Sequence, residues 1–193
     1  MHVSIPVLVL LQQFWATTAQ PSFLNVTAIA GVGGRSVFQC WQLETPFTVS
    51  ADAGTSGVAR ANLGDVRDFS YFALPSNYDG GLHTAPANQW VAFVSGVARF
   101  TLPDDPAASV TVVGGDFGLI FAADTANVSK QGHISQYPSN TETIALQIPV
   151  RDGKVPAHEV LHEGACGANE VVGIRAIATQ GRAQEHGQMC GLS

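Results

Sequence analysis

Apolar positions in this chain recur in short runs, and helical spacing is nearly absent before residue 150. The runs are Ser36–Leu43, Phe47–Ser50, Phe69–Leu74, Gln89–Val94, Ala98–Leu102, Ser109–Val113, Gly118–Ala122 and Thr143–Val150. Glycine, proline, asparagine and aspartate punctuate them at Asn77–Gly81, Ser95-Gly96, Pro103–Pro106 and Val113–Asp116, and Gly31–Gly34 is a further turn signal. Short β-rich runs at such spacings predict an all-β sandwich or barrel. In Thr143–Ile148 one face is apolar and the other carries Thr143 and Gln147, so Gln147 points either into a lumen or to solvent. There is no internal repeat and no second domain. Residues 167–193 differ in character: Glu170–Gln180 reads as a short amphipathic helix through Val172, Ile174 and Ile177, followed by a Gly- and Gln-rich remainder.

The ends and the cysteines set the compartment. Residues 1–19 read as a secretory signal, with Ile5–Leu11 as the apolar core and Thr17-Thr18-Ala19 before a cut near Gln20. The apolar run is shorter than the roughly 20 residues that span a bilayer. The domain proper is therefore 20–166, exported or routed through the secretory pathway. Asn25-Val26-Thr27 and Asn127-Val128-Ser129 are glycosylation sequons consistent with that route. Three cysteines, Cys40, Cys166 and Cys190, allow three pairings. Cys40–Cys166 is preferred because it ties the first strand to the end of the compact region. A zinc site is a poor reading, because no two cysteines lie close in sequence. Net charge is −6 with only 12% charged residues, which argues against a nucleic-acid surface and fits a largely apolar small-molecule pocket.

The chemistry concentrates in Gly80–Gly96, GGLHTAPANQWVAFVSG. His83, Ala85, Gln89 and Gly96 match the spacing of the first motif of the cupin barrels: His, one residue, His, three residues, Glu, six residues, Gly. Ala85 replaces the second His and Gln89 the Glu. The second cupin motif fails: counting from Gly115 puts Phe121, Ala123 and Ala126 at its Pro, Gly and His places, and no shift brings His133 into register. One His from four ligands would not hold a transition metal, so no metal and no cofactor are expected.

With Phe38–Leu43, Gly118–Ser129, Gly132–Ser139, Ala145–Pro149 and His162–Cys166, the motif resembles the small secreted cupin-like proteins of filamentous fungi over most of residues 22–166. Some of that group resemble the hetero-Diels–Alderases of tropolone–sesquiterpenoid biosynthesis. The resemblance implies a single-domain, cupin-like (jelly-roll) β-barrel and a metal-free reaction. A hydroxymethyl tropolone would be dehydrated to an o-quinone methide, which then adds to a humulene-type sesquiterpene. It also implies a polyketide and a terpene as small-molecule partners, and a homodimer through exposed strands; neither nucleic acid nor, after signal removal, membrane is expected.

Such a reaction needs reactants held in near-attack geometry, a hydrogen bond to the heterodiene carbonyl and an acid for the departing hydroxyl. His83 is the acid–base candidate, against a role capping the Gly80-Gly81 turn. Gln89, placed on the same face as His83 and Ala85 by period two, would polarise the carbonyl or bond strand backbone. His133 is either a second acid at the barrel mouth or an exposed loop residue. Ala85 makes room, Val91 and Phe93 line the pocket or pack the core, and Trp41 and Tyr71 offer ring platforms or core packing. His158, His162 and Glu163 read as a polar surface segment, because Pro156 and nearby glycines disfavour a helix there. Arg67-Asp68 reads as a surface ion pair. The rivals are a metal-dependent cupin oxygenase or isomerase and a non-catalytic secreted binder of a hydrophobic metabolite.

Overall fold

The computed structural model describes residues 23–171, an almost entirely β structure. Its strands are β1 (Phe23–Val32), β2 (Arg35–Pro46), β3 (Thr48–Val49), β4 (Ala59–Arg60), β5 (Ser70–Leu74), β6 (Tyr78–His83), β7 (Gln89–Ser95), β8 (Val97–Thr101), β9 (Ser109–Val113), β10 (Leu119–Ala122), β11 (His133–Tyr137), β12 (Thr143–Pro149) and β13 (His158–Glu163), followed by a one-turn helix α1 (Ala168–Val171). The predicted signal segment lies outside the described residues, as does most of the predicted tail helix.

Seven strands form one sheet in the order β13-β2-β1-β10-β7-β12-β5, and four form a second in the order β6-β11-β8-β9; β3 and β4 make a separate hairpin. Among these strands pairing is antiparallel except between β1 and β10. The large and small sheets do not share a strand pairing among the described residues, so the barrel expected from the sequence is open rather than closed. All eight predicted runs contain strand residues. The additions are β1, β4, β6, β11 and β13. Of these, β6 carries Gly80-Gly81 and reads locally as a turn, yet it is a strand because β11 pairs along it.

Period two along the large sheet builds two cores. On the face toward the small sheet, Ile29, Phe38, Val91, Phe93, Ile120 and Ala145 meet Ala98, Phe100, Val110 and Val112. On the opposite face, Val26, Trp41, Leu43, Trp90, Phe121 and Val150 form a second cluster, with Phe47 and Leu63 against it. Trp90 Nε1 donates to Leu63 O at 3.0 Å, which pins a loop over that outer face. A sheet apolar on both faces explains why its strands read as nearly continuous apolar runs.

A disulfide joins Cys40 on β2 to Cys166 beyond β13, as the sequence preferred. It closes a separation of 126 residues, which in a chain-entropy account contributes about 5 kcal/mol. Such a bridge is characteristic of secreted and secretory-pathway proteins. Among the described residues, no helix is long and apolar enough to cross a membrane.

Phe121 is fully buried between Trp41 (ring centroids 5.7 Å) and the edge of Trp90 (4.7 Å). Phe121→Ala is expected to destabilise the fold by about 3–5 kcal/mol, measured by denaturant unfolding. A loss under 1 kcal/mol would mean that the outer cluster is not a packed core.

Candidate functional site

The site is built where β6 ends and β11 begins. The antiparallel register places His83 directly opposite His133, and the two rings lie 4.7 Å apart between centroids, tilted by 59°. This approach depends on Gly132, which has φ +84°; a Cβ there would collide with the His83 carbonyl. His133 is therefore a buried strand residue, 4% exposed, and not the loop histidine that was one of its two readings.

Behind His133 stands a residue the sequence reading passed over. Asp124 is fully buried. Its Oδ2 lies 2.7 Å from His133 Nδ1 and accepts Ser36 Oγ–H, also at 2.7 Å. Ser36 Oγ in turn bonds Ser129 Oγ (2.8 Å), which accepts the Gly132 N–H (3.0 Å). A carboxylate only accepts, so Nδ1 carries the ring proton and Nε2 is left as the second nitrogen of His133. His83 is tied in the same way, Nδ1 to Gly81 O at 3.0 Å. The available signal was a lone aspartate directly after the apolar run Leu119–Ala123: an acid that close to a core strand needs a partner.

Between the sheets, these histidines open onto a small cavity of about 50 Å³. Ala85, Gln89, Val91, Phe93 and Gln147 line it as well, so the lumen-facing alternative for Gln147 is the one realised. Gln89 reaches the cavity from β7, on the sheet opposite His83, and not by period two along one strand. It is 3% exposed and its Oε1 has no hydrogen-bond partner; Asp124 Oδ1 is likewise unpartnered. Ser135 and Tyr137, neither singled out from the sequence, complete the polar wall. Burial pushes the Tyr137 phenol up, so it remains a hydrogen-bond donor near neutral pH.

Trp41 and Tyr71 are not part of this cavity. Trp41 is an odd number of residues from Phe38, and so it faces the outer core, where it stacks on His158 at 3.7 Å and donates Nε1–H to Gln39 Oε1. Tyr71, on the edge strand β5, pairs in register with Leu146 rather than Gln147 and is 67% exposed. His158, His162 and Glu163 lie on β13, an edge strand paired to β2. Arg67 and Asp68 form an exposed ion pair at 3.4 Å. Of the sequons, Asn127 is exposed in a loop. Asn25 is committed to the fold: its Nδ2 donates to Glu170 O (3.2 Å) and its Oδ1 accepts from Gln42 Nε2 (3.1 Å).

A second, larger cleft of about 430 Å³ lies open on the outer face, lined by Leu43, Leu63, Val150, Arg151, Lys154 and Pro156. Among the described residues no histidine lines it. Asp65, Asp152 and Lys154 line the outer cleft, whereas the two histidines converge on the smaller cavity.

Desolvation, and next the neighbouring His133, lowers the His83 pKa from 6.5. The native state thus binds fewer protons at His83 than the unfolded chain does. Its contribution disfavours folding as pH falls below about 6.5 and vanishes above it. A nuclear magnetic resonance titration should find the His83 midpoint below 6.5 and moving upward in His133→Gln; a wild-type midpoint at or above 6.5 would contradict the packing described.

No protein-family model and no curated protein matches this chain.

Proposed function

We propose that this chain is a metal-free acid–base catalyst of a jelly-roll type whose centre is the cavity between His83 and His133. The strand order supports that fold reading. Counted from β5, the eight strands order as β5-β12-β7-β10 facing β6-β11-β8-β9, the arrangement of two Greek keys wound into a jelly roll, with β1, β2 and β13 extending one sheet. The observation that carries the functional reading is the convergence of two imidazoles, each tied back through Nδ1, with an unpartnered buried amide oxygen.

Following the resemblance, the substrate is a hydroxymethyl tropolone and the product of the first step its o-quinone methide. His133, in its imidazolium form with Nδ1–H held by Asp124, donates its Nε2 proton to the departing hydroxyl, which leaves as water. His83, whose pKa is lowered mainly by desolvation, orients that hydroxyl or accepts the tropolone O–H proton. With its amide turned so that Nε2 takes the place of the unpartnered Oε1, Gln89 donates N–H to the carbonyl end, which would polarise the heterodiene for addition of the alkene. A cavity of about 50 Å³ is far below the roughly 300–1,000 Å³ that encloses a whole ligand of drug size. The reading therefore places only the reacting polar end inside, and the hydrocarbon partner at the mouth.

Two imidazoles and the neutral Gln89 oxygen offer a weak donor set for a metal, since Asp124 is spent on His133 rather than aimed at the cavity. We assign no step to one. A second reading, a binder of an amphipathic metabolite, is favoured by the outer cleft, whose volume of about 430 Å³ is of ligand size.

The test supplies hydroxymethyl tropolone and the terpene together and follows rate and enantiomeric excess. Asp124→Asn and His133→Gln are each expected to lower the dehydration rate by about 100-fold or more with the fold retained by circular dichroism. Gln89→Leu should lower enantiomeric excess. Wild-type protein that leaves rate and selectivity at the level of the uncatalysed mixture, yet binds either reactant in the outer cleft, would replace catalysis by binding. Activity lost on chelation and restored by a metal would point to the oxygenase or isomerase alternative.

A further inference from the structure

A second cluster of ligating side chains lies about the disulfide, away from the cavity. Cys40 Sγ, a His162 ring nitrogen and a Glu170 carboxylate oxygen all lie within 4.8 Å of one another, and Cys166 Sγ is bonded to Cys40. Sequence spacing disfavoured zinc because the cysteines are far apart in the chain; β2 and the segment after β13 bring them together. As long as the bridge is closed, neither sulfur is a thiolate and only two ligands remain.

The other two are oriented as metal ligands are. His162 Nδ1–H donates to Glu163 O at 2.8 Å, leaving Nε2 directed at Glu170 Oε1, also at 2.8 Å. A histidine whose far nitrogen is held by a carbonyl is the usual arrangement behind a metal-bound imidazole. The His162–Glu170 contact needs a proton on Nε2. A divalent cation would take that proton's place.

The corner is also held by bonds that do not involve sulfur. Gly164 N–H donates to Phe38 O (2.8 Å), Cys166 N–H to Thr27 Oγ1 (3.0 Å) and Asn25 Nδ2 to Glu170 O (3.2 Å). None of these three bonds is made by sulfur, so opening the bridge breaks none of them directly.

We propose that reduction of Cys40–Cys166 converts this corner into a four-ligand zinc site made of Cys40, Cys166, His162 and Glu170. Two thiolates, one imidazole and one carboxylate form a donor set suited to tetrahedral Zn²⁺. A dithiol reductant supplies two electrons and two protons: the S–S bond breaks, two thiols form, and the dithiol becomes its own disulfide. Zinc then displaces both thiol protons and the His162 Nε2 proton, forming two Zn–S, one Zn–N and one Zn–O bond. A disulfide oxidant reverses the exchange: it takes up two electrons and two protons to become a dithiol, the Cys40–Cys166 bond re-forms and Zn²⁺ is released.

The experiment uses the full chain with Cys190→Ser, reduced by dithiothreitol, desalted without oxygen and titrated with Co²⁺ as a spectroscopic stand-in. One equivalent should give a thiolate-to-cobalt charge-transfer band and tetrahedral visible bands, both bleached by Zn²⁺. The oxidised protein should give neither. His162→Ala and Glu170→Gln should each weaken binding by about 10-fold or more. Thermal unfolding of the reduced protein should shift upward on adding Zn²⁺. The proposal is overturned if the reduced chain shows no charge-transfer band, if both variants bind as tightly as the parent, or if the reduced chain is unfolded and Zn²⁺ does not restore it.

Discussion

Side-chain alternation along β7 and β10 is the constraint on which the rest of the molecule depends. Gln89, Val91 and Phe93 face the small sheet while Trp90 faces away; Ile120 and Ala122 face inward while Phe121 faces away. One strand pair thus serves two interiors. The outer one is aromatic and filled by Trp41, Trp90 and Phe121. The inner one keeps polar groups at its end, near the edge where β6 and β11 meet. A slip of one residue in β7 would send Trp90 into the cavity and Gln89 into the outer core, so the site and the stability of the fold share a single register.

Polar groups in the inner compartment are tolerated because most of them are bonded in series. Ser129, Ser36, Asp124 and His133 form a continuous run that takes a carboxylate out of water without leaving it unpaired. The run ends at His133, and Asp124 Oδ1 is left without a partner, as are Gln89 Oε1 and Ser135 Oγ about the cavity. Leaving a buried acceptor unpaired costs roughly 1–3 kcal/mol. Such groups fit a place where a ligand or water completes the bonding. At the β13–β2 edge of the large sheet, the disulfide and the His162–Glu170 pair fasten the last described turn to β2 and β13.

The fold class was legible because alternating runs bounded by glycine and proline dominate the chain, and the runs at Ser109–Val113 and Thr143–Val150 coincide closely with strands. What local pattern could not supply was the facing of residues across sheets. His83 and Gln89 belong to different sheets, so counting by twos placed them on one face for the wrong reason. His133 escaped the second motif because motif spacing fixes position along the chain, whereas the pairing of β11 with β6 is set by hydrogen bonds between residues far apart. Trp41 was readable as a large aromatic but not as one turned outward, since the parity that decides this is measured against Phe38. Asp124 lay in plain view, and only its burial reveals its role.

The most direct test of the central claim is to record ¹⁵N shifts of the histidine imidazoles while hydroxymethyl tropolone is titrated into the protein. The account predicts that His83 and His133 shift together at saturating ligand, while His158 beneath Trp41 stays unchanged. Shifts confined to residues of the outer cleft, with the His83 and His133 rings unmoved, would contradict it.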